Sequence, residues 1–402
     1  MCGMEFFRSL YHYFLARLGS FIYGRPSRDI FVIGVTGTKG KSTVIEIINA
    51  ILEAAGKKTA LLSSVRQKID DASCLNMSGM SMPGRFFIQR FLKESVQDGC
   101  EYAIIEVTSQ GILQHRHRFI DFGGVVITNL EPEHIEAHGS FEKYRASKAK
   151  FFNDAALYSE KIPKLFFINS DMRDSRYFVD AVQGNSKIVF YNKKDVMELK
   201  IKTKLIGEFN LENIAAAIAF ARSRNIDWET IKNAIELFNG VPGRLEFIQK
   251  IPFSIVIDYA HTPDSLEKVY KTLKNRKSKL ICVLGSAGGG RDAWKRPVMG
   301  KLAADYCGQI ILTNEDPFNE DPENIINEIE SGIPVDYKNK VKIILDRKEA
   351  IRVAIKSAKK NDTVVITGKG SEPYMRISGG KKISWNEKEI ALKILNNERI
   401  EI

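Results

Sequence analysis

Short apolar runs alternate with segments of helical periodicity along most of this 402-residue chain. From Asp29 onward, β-branched stretches such as IFVIGV, EYAIIEV, GGVVITNL and KLFFIN are separated by residues whose apolar positions recur every three to four residues. Such alternation is typical of βαβ units, in which crossover helices join parallel strands. The pattern therefore predicts an α/β protein with mostly parallel sheets.

A second alternating series begins after the turn-rich segment NGVPG, residues 239–243. Its apolar runs are FSIVIDY, KLICVLG, QIILTNEDP, VKIILD and TVVITGKG, and glycine and proline make the preceding segment the best boundary. We predict three parts: an N-terminal amphipathic helical segment, 1–29, a central domain, 30–241, and a C-terminal domain, 242–402. Ligands commonly bind in a cleft between two such domains.

The N-terminal stretch is apolar and aromatic, but Arg8 and Arg17 interrupt it before it reaches the ~20 apolar residues of a membrane-spanning helix. It also lacks a small-residue cleavage site after a clean apolar core, which argues against a secretory signal. Helical spacing of its apolar positions predicts an amphipathic helix. Docking on the body of the protein is the simpler role, and lying on a membrane surface is the alternative.

Charge and cysteine content narrow the class of protein. The net charge of +11 favours anionic partners, but basic and aromatic residues are not interleaved as in nucleic-acid binders, so we expect no nucleic acid. The five cysteines have no close paired spacing, so we predict neither a disulfide framework nor a zinc knuckle. This composition fits a reducing cytoplasm, and no pattern indicates an oligomeric state.

The segment GVTGTKGKST, residues 34–43, departs from the common phosphate-loop pattern because Val35 occupies a position that the pattern reserves for glycine. An apolar run precedes the segment and a helical apolar stripe follows it. A strand, a glycine-rich turn and a helix N-terminus together form an anion site, because backbone N–H groups point outward and the helix dipole favours negative charge. Lys41 would then reach the terminal phosphates, and Ser42 would bind Mg²⁺.

Two further segments carry candidate chemistry. AIIEVTSQG places Glu106 at the end of a buried strand, where its charge requires either a metal or backbone amides as partners. In EPEHIEAHG, His134 and His138 are one helical turn apart, but Ile135 occupies the glutamate position of the HExxH zinc motif. We therefore exclude that zinc site, which leaves His134 as either a structural residue or a ligand of another kind.

Taken together, these segments resemble the Mur ligases, ATP-dependent amino-acid ligases of peptidoglycan-precursor synthesis, and among them the UDP-N-acetylmuramoyl-tripeptide synthetase (MurE) type. The family's T-G-T-[NK]-G-K-[ST]-[ST] loop looks like TGTKGKST, and other family motifs look like EVTSQGILQHR, NLEPEHIEAHG, YRASK and VIDYAHTPDSLEK. The resemblance covers about residues 32–395. It implies a P-loop-type central ATPase domain with a mostly parallel sheet and a Rossmann-like C-terminal α/β domain.

The resemblance also implies site residues, with ATP and two Mg²⁺ sites as cofactors. Catalytic roles fall to Lys41, Glu106, His134 and Lys148. Magnesium would be held by Ser42, Glu106, His134 and Lys148, the last as a carbamate formed with CO₂. Nucleotide contacts fall to Gly37, Thr38, Lys39, Gly40, Lys41, Ser42, Thr43, Asn213, Arg244, Asp258, Tyr259 and His261. Substrate contacts fall to Ser81, Ser109, Arg116, Arg291, Asp316, Gly368 and Glu372.

The implied reaction activates an acceptor carboxylate as an acyl phosphate, joins an amino acid to it, and releases ADP and phosphate in the cytoplasm. One departure concerns the amino acid, because the family's diaminopimelate signature D-N-P-R appears as EDPF, with Phe318 in place of arginine. Phenylalanine cannot make the bidentate bonds that arginine makes with a carboxylate. This argues against meso-diaminopimelate and leaves lysine or another amine.

A second departure concerns the acceptor. Only 33 residues precede Gly34, so we expect the family's usual N-terminal UDP-binding domain to be missing. A UDP-linked muramoyl peptide, a lipid-linked acceptor with the N-terminal helix at the inner membrane face, or a different acid all remain open. The alternative functions are a folylpolyglutamate-type or other amino-acid ligase, and a nucleotide-binding homologue without catalytic activity.

Overall fold

A computed structural model describes residues 2–133, 138–275, 277–290 and 292–400, and the side chains within these ranges except those of 2–6 and 397–400. The chain divides into two compact units, Met1–Asn239 and Gly240–Ile402. Each unit is built on a mostly parallel sheet with helices packed against it, which confirms the predicted α/β class.

Helices and strands of the first unit alternate as the apolar pattern predicts. Within the described residues its strands are β1 Phe31–Thr36, β2 Thr59–Leu62, β3 Arg66–Ile69, β4 Ala72–Leu75, β5 Tyr102–Glu106, β6 Phe122–Ile127, β7 Lys164–Asn169 and β8 Ser186–Tyr191. Its described helices are α1 Cys2–Ile22, α2 Lys41–Ala54, α3 Arg85–Gln97, α4 Ser109–Leu113, α5 Phe141–Tyr158, α6 Ser175–Asp180, α7 Lys193–Glu198, α8 Glu208–Ser223 and α9 Trp228–Leu237, with a 3-10 turn at Pro26–Arg28.

The sheet of the first unit has the order β4-β3-β2-β5-β1-β6-β7-β8. Strands β2, β5, β1, β6, β7 and β8 run parallel, and the β2-β3-β4 edge is antiparallel. Strand β1 lies between β5 and β6, and Val35 pairs in register with Glu106. The glycine loop that follows β1 therefore starts at the same sheet edge at which Glu106 ends β5.

Close packing beneath β1 fixes the position of α5. Gly34 has no side chain, and a Cβ there would lie 2.5 Å from the ring of Phe151 and 2.8 Å from that of Phe122. Both rings are buried in the core on this face of the sheet. Because Lys148 precedes Phe151 by about one helical turn, this contact brings Lys148 beneath the glycine loop.

Helix α1 is oriented with its large apolar side chains outward. Its buried residues are small, namely Ala16, Gly19 and Ser20, and Ser9 Oγ lies 2.8 Å from His115 Nε2. Its exposed residues are Phe7, Leu10, Tyr11, Phe14, Leu18, Phe21 and Ile22. The helix therefore packs on the first unit through small residues and through Tyr13, whose ring centre lies 5.1 Å from that of Phe119, and it presents most of its large apolar side chains to the surroundings. Among the described helices, none combines the length and apolar character needed to cross a membrane.

The second unit repeats the alternating pattern. Its described strands are β9 Glu246–Gln249, β10 Ser254–Asp258, β11 Leu280–Leu284, β12 Gln309–Leu312, β13 Val341–Ile343, β14 Thr363–Thr367, β15 Tyr374–Arg376 and β16 Lys382–Ser384. Its described helices are α10 Pro263–Leu273, α11 Lys295–Tyr306, α12 Pro322–Ser331, α13 Arg347–Ser357 and α14 Glu387–Ile400, with 3-10 turns at Val335–Lys340 and Ser378–Gly380. The main sheet has the order β13-β12-β11-β14-β10-β9, parallel except for β9, and β15 pairs with β16 as a separate hairpin.

The cysteine prediction was wrong at one pair. Cys282 in β11 and Cys307 at the end of α11 form a disulfide with a Cα–Cα distance of 6.1 Å. The crossover from β11 through α11 returns the chain to the sheet and brings the two residues together across a separation of 25 positions. Spacing along the chain does not reveal such a pair, because tertiary packing alone makes them neighbours.

A buried ion pair ties α13 to α14. Arg347 Nη2 lies 2.6 Å from Glu387 Oε1, both side chains are at most 1% exposed, and the guanidinium also donates to the Thr367 carbonyl oxygen at 2.7 Å. We expect Arg347→Met to lower the free energy of unfolding of this unit by about 3–5 kcal/mol, because it leaves a buried carboxylate without its partner.

The control is Arg352→Met on the same helix, which removes a partly exposed pair with Glu349. It should change the free energy of unfolding by about 1 kcal/mol or less. Denaturant unfolding followed by circular dichroism measures both variants, and equal effects would contradict a structural role of the buried pair.

Candidate active site

The loop between β1 and α2 requires glycine at two positions. Gly37 has φ +140° and Gly40 has φ +80°, values that side-chain-bearing residues rarely adopt. A Cβ at Gly37 would lie 1.9 Å from Thr128 Oγ1, and one at Gly40 would lie 2.2 Å from Asn213 Oδ1. The loop is therefore held against two polar side chains. The contact at Gly40 brings Asn213, a predicted nucleotide residue, beside the loop.

The N-terminus of α2 is arranged as an anion site. Gly40 provides no side-chain cap, and the first turn contains no acidic residue. By contrast, the side chains of Thr108 and Ser140 cap α4 and α5. The N-cap of α2 thus places no side-chain oxygen over the helix start, and Lys41 Nζ folds back over the loop to the carbonyl oxygens of residues 37 and 38, at 3.1 and 3.0 Å. Such an arrangement attracts phosphate.

The segment that follows β6, together with Tyr144 of α5, holds the remaining loop residues. Thr38 Oγ1 lies 3.1 Å from the Tyr144 hydroxyl and accepts the Glu131 N–H at 2.9 Å. Lys39 N donates to Asn129 Oδ1 at 2.8 Å, and the Lys39 ammonium pairs with Glu133 at 2.7 Å. These contacts fix the loop backbone before any nucleotide arrives.

Lys148 lies beneath the same loop. Its side chain is 1% exposed, and its Nζ donates to the Gly37 carbonyl oxygen at 2.9 Å. Burial lowers the pKa of the Lys148 amine well below its ordinary value, and the nearby Lys41 lowers it further. Two lysine side chains far apart in sequence therefore converge on one carbonyl oxygen, and burial favours the neutral amine at position 148.

Oxygen ligands suited to Mg²⁺ lie next to this pair. Glu106 is 2% exposed, and its Oε2 accepts the Ser64 N–H at 2.8 Å and the Ser42 hydroxyl at 3.3 Å. Lys41 Nζ lies 3.9 Å from Glu106 Oε1. The backbone-amide partner considered for Glu106 is thus present, together with a hydroxyl and a cation. Thr43 is buried in the first turn of α2.

Few protein ligands are available for a metal in this region. Within the described part of the chain, no three His, Cys, Asp or Glu side chains are grouped closely enough to form a metal site by themselves. Mg²⁺ commonly retains waters and binds one or two carboxylates together with substrate phosphates, so Ser42 and Glu106 fit it. His134, the third predicted ligand, lies outside the described residues.

Two of the predicted acceptor residues, Ser109 and Arg116, follow Glu106 along the chain. Ser109 Oγ lies 3.0 Å from His138 Nε2, at the start of α4. Arg116 donates to the Met82 carbonyl oxygen, next to the half-buried Ser81. The segment from 106 to 116 and the segment around 81 therefore lie side by side at the carboxyl end of β5.

The second unit groups another set of predicted residues around Tyr259. The Arg244 guanidinium lies 4.3 Å from the centre of the Tyr259 ring, and the His261 ring lies 4.7 Å from it. Asp258 accepts the backbone N–H groups of residues 245 and 260 at 2.7 and 2.6 Å. Asp258 therefore ties the chain at residue 245 to the turn that follows β10.

Sequence reasoning missed Lys369, the centre of the charged cluster in this unit. Its ammonium is fully buried and donates to Asp316 at 2.8 Å and to Glu372 at 2.5 Å, and Glu372 also accepts the Tyr259 hydroxyl at 3.1 Å. The signal was present, because Lys369 stands between two glycines in GKG. Gly368 has φ +108° and a Cβ there would lie 2.2 Å from Glu315 Oε2.

Glu315 and Arg376 carry ionisable side chains in the region of Phe318. Burial raises the pKa of Glu315 to about 7, and no described residue forms a hydrogen bond with its Oε2. The Arg376 guanidinium lies 5.6 Å from the centre of the Phe318 ring and 3.8 Å from Asp316 Oδ2. A guanidinium is therefore close to position 318 although the residue there is phenylalanine. Arg291, another predicted substrate residue, lies outside the described residues.

Comparisons with known proteins agree with this geometry. Residues 35–197 match the Mur ligase middle domain, and residues 243–370 match the Mur ligase glutamate ligase domain. Two relatives are named UDP-N-acetylmuramoyl-L-alanyl-D-glutamate–2,6-diaminopimelate ligase. The one from Geobacillus kaustophilus is 36% identical, with 94% of this chain and 81% of the relative covered, and the one from Aquifex aeolicus is 37% identical, with 94% and 80% covered.

Solved structures show the same relationship. A ligase with the same name is 27% identical, with a TM-score of 0.61 and 92% of this chain and 79% of that one covered. Folylpolyglutamate synthase from Mycobacterium tuberculosis shares the fold at 16% identity, with a TM-score of 0.70 and 90% and 92% covered. The family models and the relatives above 30% identity together identify the chain, and it belongs to the Mur ligase family.

Proposed function

We propose that this protein is an ATP-dependent ligase that joins an amino acid to the carboxylate of a muramoyl-peptide acceptor. The observation that carries the proposal is the convergence of Lys41 and Lys148 on the Gly37 carbonyl oxygen, next to Glu106. Relatives at 36–37% identity, whose names specify a UDP-muramoyl acceptor, support the substrate class. The folylpolyglutamate synthase likeness is one of fold, so a folate acceptor is not favoured. The intact loop and lysine pair argue against a non-catalytic homologue.

The reaction has two steps. The acceptor carboxylate attacks the γ-phosphorus of ATP, which gives an acyl phosphate and ADP. The amine of the amino acid then attacks the carbonyl carbon, the C–O bond to phosphate breaks, and the nitrogen loses a proton. The N–H groups of α2 and the Lys41 ammonium would stabilise the negative charge on the transferred phosphoryl group, which in comparable sites is worth about 3–4 kcal/mol per donor.

We propose that Ser42 and Glu106 hold Mg²⁺, together with His134. A bound Mg²⁺ would neutralise charge on the phosphates of ATP. The hydroxyl of Ser42 lies 3.3 Å from Glu106 Oε2, so one ion can reach both oxygen ligands, and both suit a hard cation. Lys41 stays within 3.9 Å of the same carboxylate and would share the phosphate charge with the ion.

We also propose a carbamate on Lys148 as a ligand of a second Mg²⁺. A neutral amine is needed to attack CO₂, and burial of Lys148 favours that form. The nitrogen forms a bond to the carbon of CO₂ and releases one proton, which leaves a carboxylate in place of a potential cation. The change would also replace repulsion between positions 41 and 148 by attraction.

We propose ligand contacts for the remaining predicted residues. The nucleotide site would include the loop from Gly37 to Thr43 and, by the family resemblance, Asn213, Arg244, Asp258, Tyr259 and His261. The incoming amino acid would contact Arg291, Asp316, Gly368 and Glu372, and the acceptor would contact Ser81, Ser109 and Arg116. We propose functional domains at 30–241 and 242–402 after the helical segment 1–29, a division supported by the two compact units.

The identity of the amino acid depends on the surroundings of Phe318. The relatives are named for 2,6-diaminopimelate, whereas this chain has no arginine at that position. Asp316 and Glu372 share the buried Lys369, and the nearest described guanidinium to the Phe318 ring belongs to Arg376. We propose that lysine or another diamine competes with diaminopimelate here, because phenylalanine cannot make the bidentate bonds that arginine makes with a distal carboxylate.

We propose in addition that the protein works in the cytoplasm with α1 against an anionic membrane surface. Five of its exposed residues, Phe7, Tyr11, Phe14, Leu18 and Phe21, lie on one side of the helix. Exposed Arg8 and Arg17 flank this apolar side, and the sequence from 6 to 28 contains no Asp or Glu. An apolar helix face bordered by arginine is typical of helices that lie in the membrane interface.

The ligase proposal predicts phosphate release that needs three components. ATP, UDP-muramoyl-dipeptide and one amino acid from a panel including diaminopimelate and lysine should release phosphate and give a product heavier by the amino acid, and omission of either acceptor or amine should reduce release to background. A coupled phosphate assay with mass spectrometry measures both. Steady ATP hydrolysis without the amine, or turnover only with a folate acceptor, would contradict the proposal.

The carbamate proposal predicts chemical rescue. Lys148→Ala should lower kcat by about 10²–10³, the range seen when one charge-stabilising group is lost, and acetate or formate should restore part of it by supplying the missing carboxylate. Lys143→Ala, an exposed lysine on the same helix, is the matched control and should keep kcat within about 2-fold. Absence of a ¹³C carbamate signal after incubation with labelled bicarbonate would argue against the modification.

The membrane proposal predicts co-sedimentation with anionic vesicles. Leu18→Glu should weaken binding to phosphatidylglycerol vesicles by about 10-fold or more, because it removes an apolar side chain and adds a repelled charge. Leu237→Glu makes the same change at an exposed leucine of α9 and should leave binding unchanged. Equal binding by both variants, or self-association that Leu18→Glu abolishes, would show that the helix face serves another purpose.

A further inference from the structure

Three arginines and one histidine lie close together where α1 meets the start of α3. It consists of Arg8, His12, Arg85 and Arg116, called here the cation cluster. Arg85 donates through Nε and Nη2 to the Gln114 carbonyl oxygen at 3.1 and 2.5 Å. Arg116 donates through Nε and Nη2 to the Gln114 side-chain oxygen at 3.1 and 2.6 Å. One glutamine therefore holds two guanidinium groups close to each other.

The two arginines have only neutral partners among the described residues. Besides Gln114, Arg116 contacts the Met82 carbonyl oxygen and the Met80 sulphur, and no described carboxylate forms an ion pair with either guanidinium. Arg118, two positions after Arg116, differs because its guanidinium pairs with the Asp154 carboxylate at 3.1 Å. Both arginines are half-buried, and their positive charges repel each other. Within the described residues, no carboxylate therefore compensates their charge.

Helix α1 contributes the imidazole of His12 to the cluster. Both of its ring nitrogens are buried, and neither has a hydrogen-bond partner among the residues that the structure describes. Burial lowers the pKa of His12, and Arg85, Arg8 and Arg116 lower it further, in that order. The positive charges of all three arginines therefore act on the same imidazole. A negatively charged group among them would satisfy the guanidinium charges and give the imidazole a polar partner.

The position of the cluster connects it to the acceptor side of the active site. The short segment from Glu106 through α4 ends at Arg116, and Met82 packs against it so closely that a Cβ at Gly111 would lie 2.4 Å from the Met82 sulphur. Arg85 begins α3 three residues after Met82. The cluster is thus attached to the same short segment as Glu106 and Ser109, and α1 supplies its outer half.

We propose that the cation cluster binds the diphosphate group that links the acceptor's sugar to its carrier. The proposal rests on the muramoyl-peptide function proposed above, and of the four residues in the cluster the family resemblance assigned only Arg116 to the acceptor. The relatives' names specify a UDP-linked acceptor, which contains a diphosphate. Guanidinium groups bind phosphate oxygens through paired, charge-assisted hydrogen bonds, so this ligand fits the cluster better than a single carboxylate would. A nucleotide carrier and a lipid carrier share this group.

Direct binding tests the proposal without requiring turnover. A non-hydrolysable ATP analogue is first added to saturation so that the glycine loop is filled, and inorganic pyrophosphate, UDP and farnesyl diphosphate are then titrated by calorimetry. Arg85→Gln should weaken pyrophosphate binding by about 10- to 100-fold, the loss expected for one charge-assisted contact. Arg90→Gln removes an exposed arginine from the same helix, where it faces Glu94, and should leave binding unchanged.

Further variants separate folding from binding. Arg85→Lys retains the charge without the planar donors and should show intermediate affinity, while His12→Asn should weaken binding less than Arg85→Gln. Melting temperatures of all variants should stay close to that of the parent. Tighter binding of UDP than of farnesyl diphosphate would identify a nucleotide carrier, the reverse would identify a lipid carrier, and both results support the diphosphate site.

Two outcomes distinguish this inference from the ligase proposal. Loss of pyrophosphate binding in Arg85→Gln supports the diphosphate site even if the parent protein forms no amide product, in which case the ligase proposal alone fails. If the parent ligates muramoyl peptides but Arg85→Gln and Arg90→Gln bind pyrophosphate equally, the diphosphate site is overturned. In an active enzyme, Arg85→Gln should raise the KM of the acceptor by a similar factor and leave kcat within about 2-fold.

Discussion

The Gly37 carbonyl oxygen is the point on which the proposed active site depends. It accepts hydrogen bonds from Lys41 Nζ and Lys148 Nζ at 3.1 and 2.9 Å. Two lysine amines, each able to carry a positive charge, therefore share one acceptor. Two ammonium groups in such a place repel each other, and the buried one is the more easily neutralised. Burial therefore favours a neutral amine in α5 beside the lysine to which we assign phosphate binding.

The fold maintains this arrangement through contacts that leave little freedom. β1 occupies the centre of the sheet, its register places Val35 beside Glu106, and the missing side chain at Gly34 admits the ring of Phe151 from α5. The loop is held from the opposite side by Thr128 and by the segment that follows β6. A larger residue at Gly34 or Gly37 would meet atoms closer than 3 Å, so strand, loop and helix must move together.

Uncompensated charge recurs at the places to which we assign ligands. Among the described residues, Arg85 and Arg116 have neutral partners only, and the N-cap of α2 supplies no side-chain cap. Other buried charges are paired, as in Arg347 with Glu387 and Lys369 with Asp316. Buried charges are normally paired, which supports our assignment of anionic ligands to these two places.

Local patterns in the sequence determined the α/β class, the strand–loop–helix context of residues 34–43 and the family, because each depends on neighbours along the chain. Motif resemblance also directed attention to Lys148, which no periodicity distinguishes from a surface lysine. Tertiary structure alone decided that Lys148 shares an acceptor with Lys41, that Cys282 meets Cys307, that Lys369 is the buried centre of the second unit's charged cluster, and that α1 turns its apolar side outward. The physical reason is common to all four: burial and charge pairing depend on groups distant in sequence, whose approach only the packed sheets and helices define.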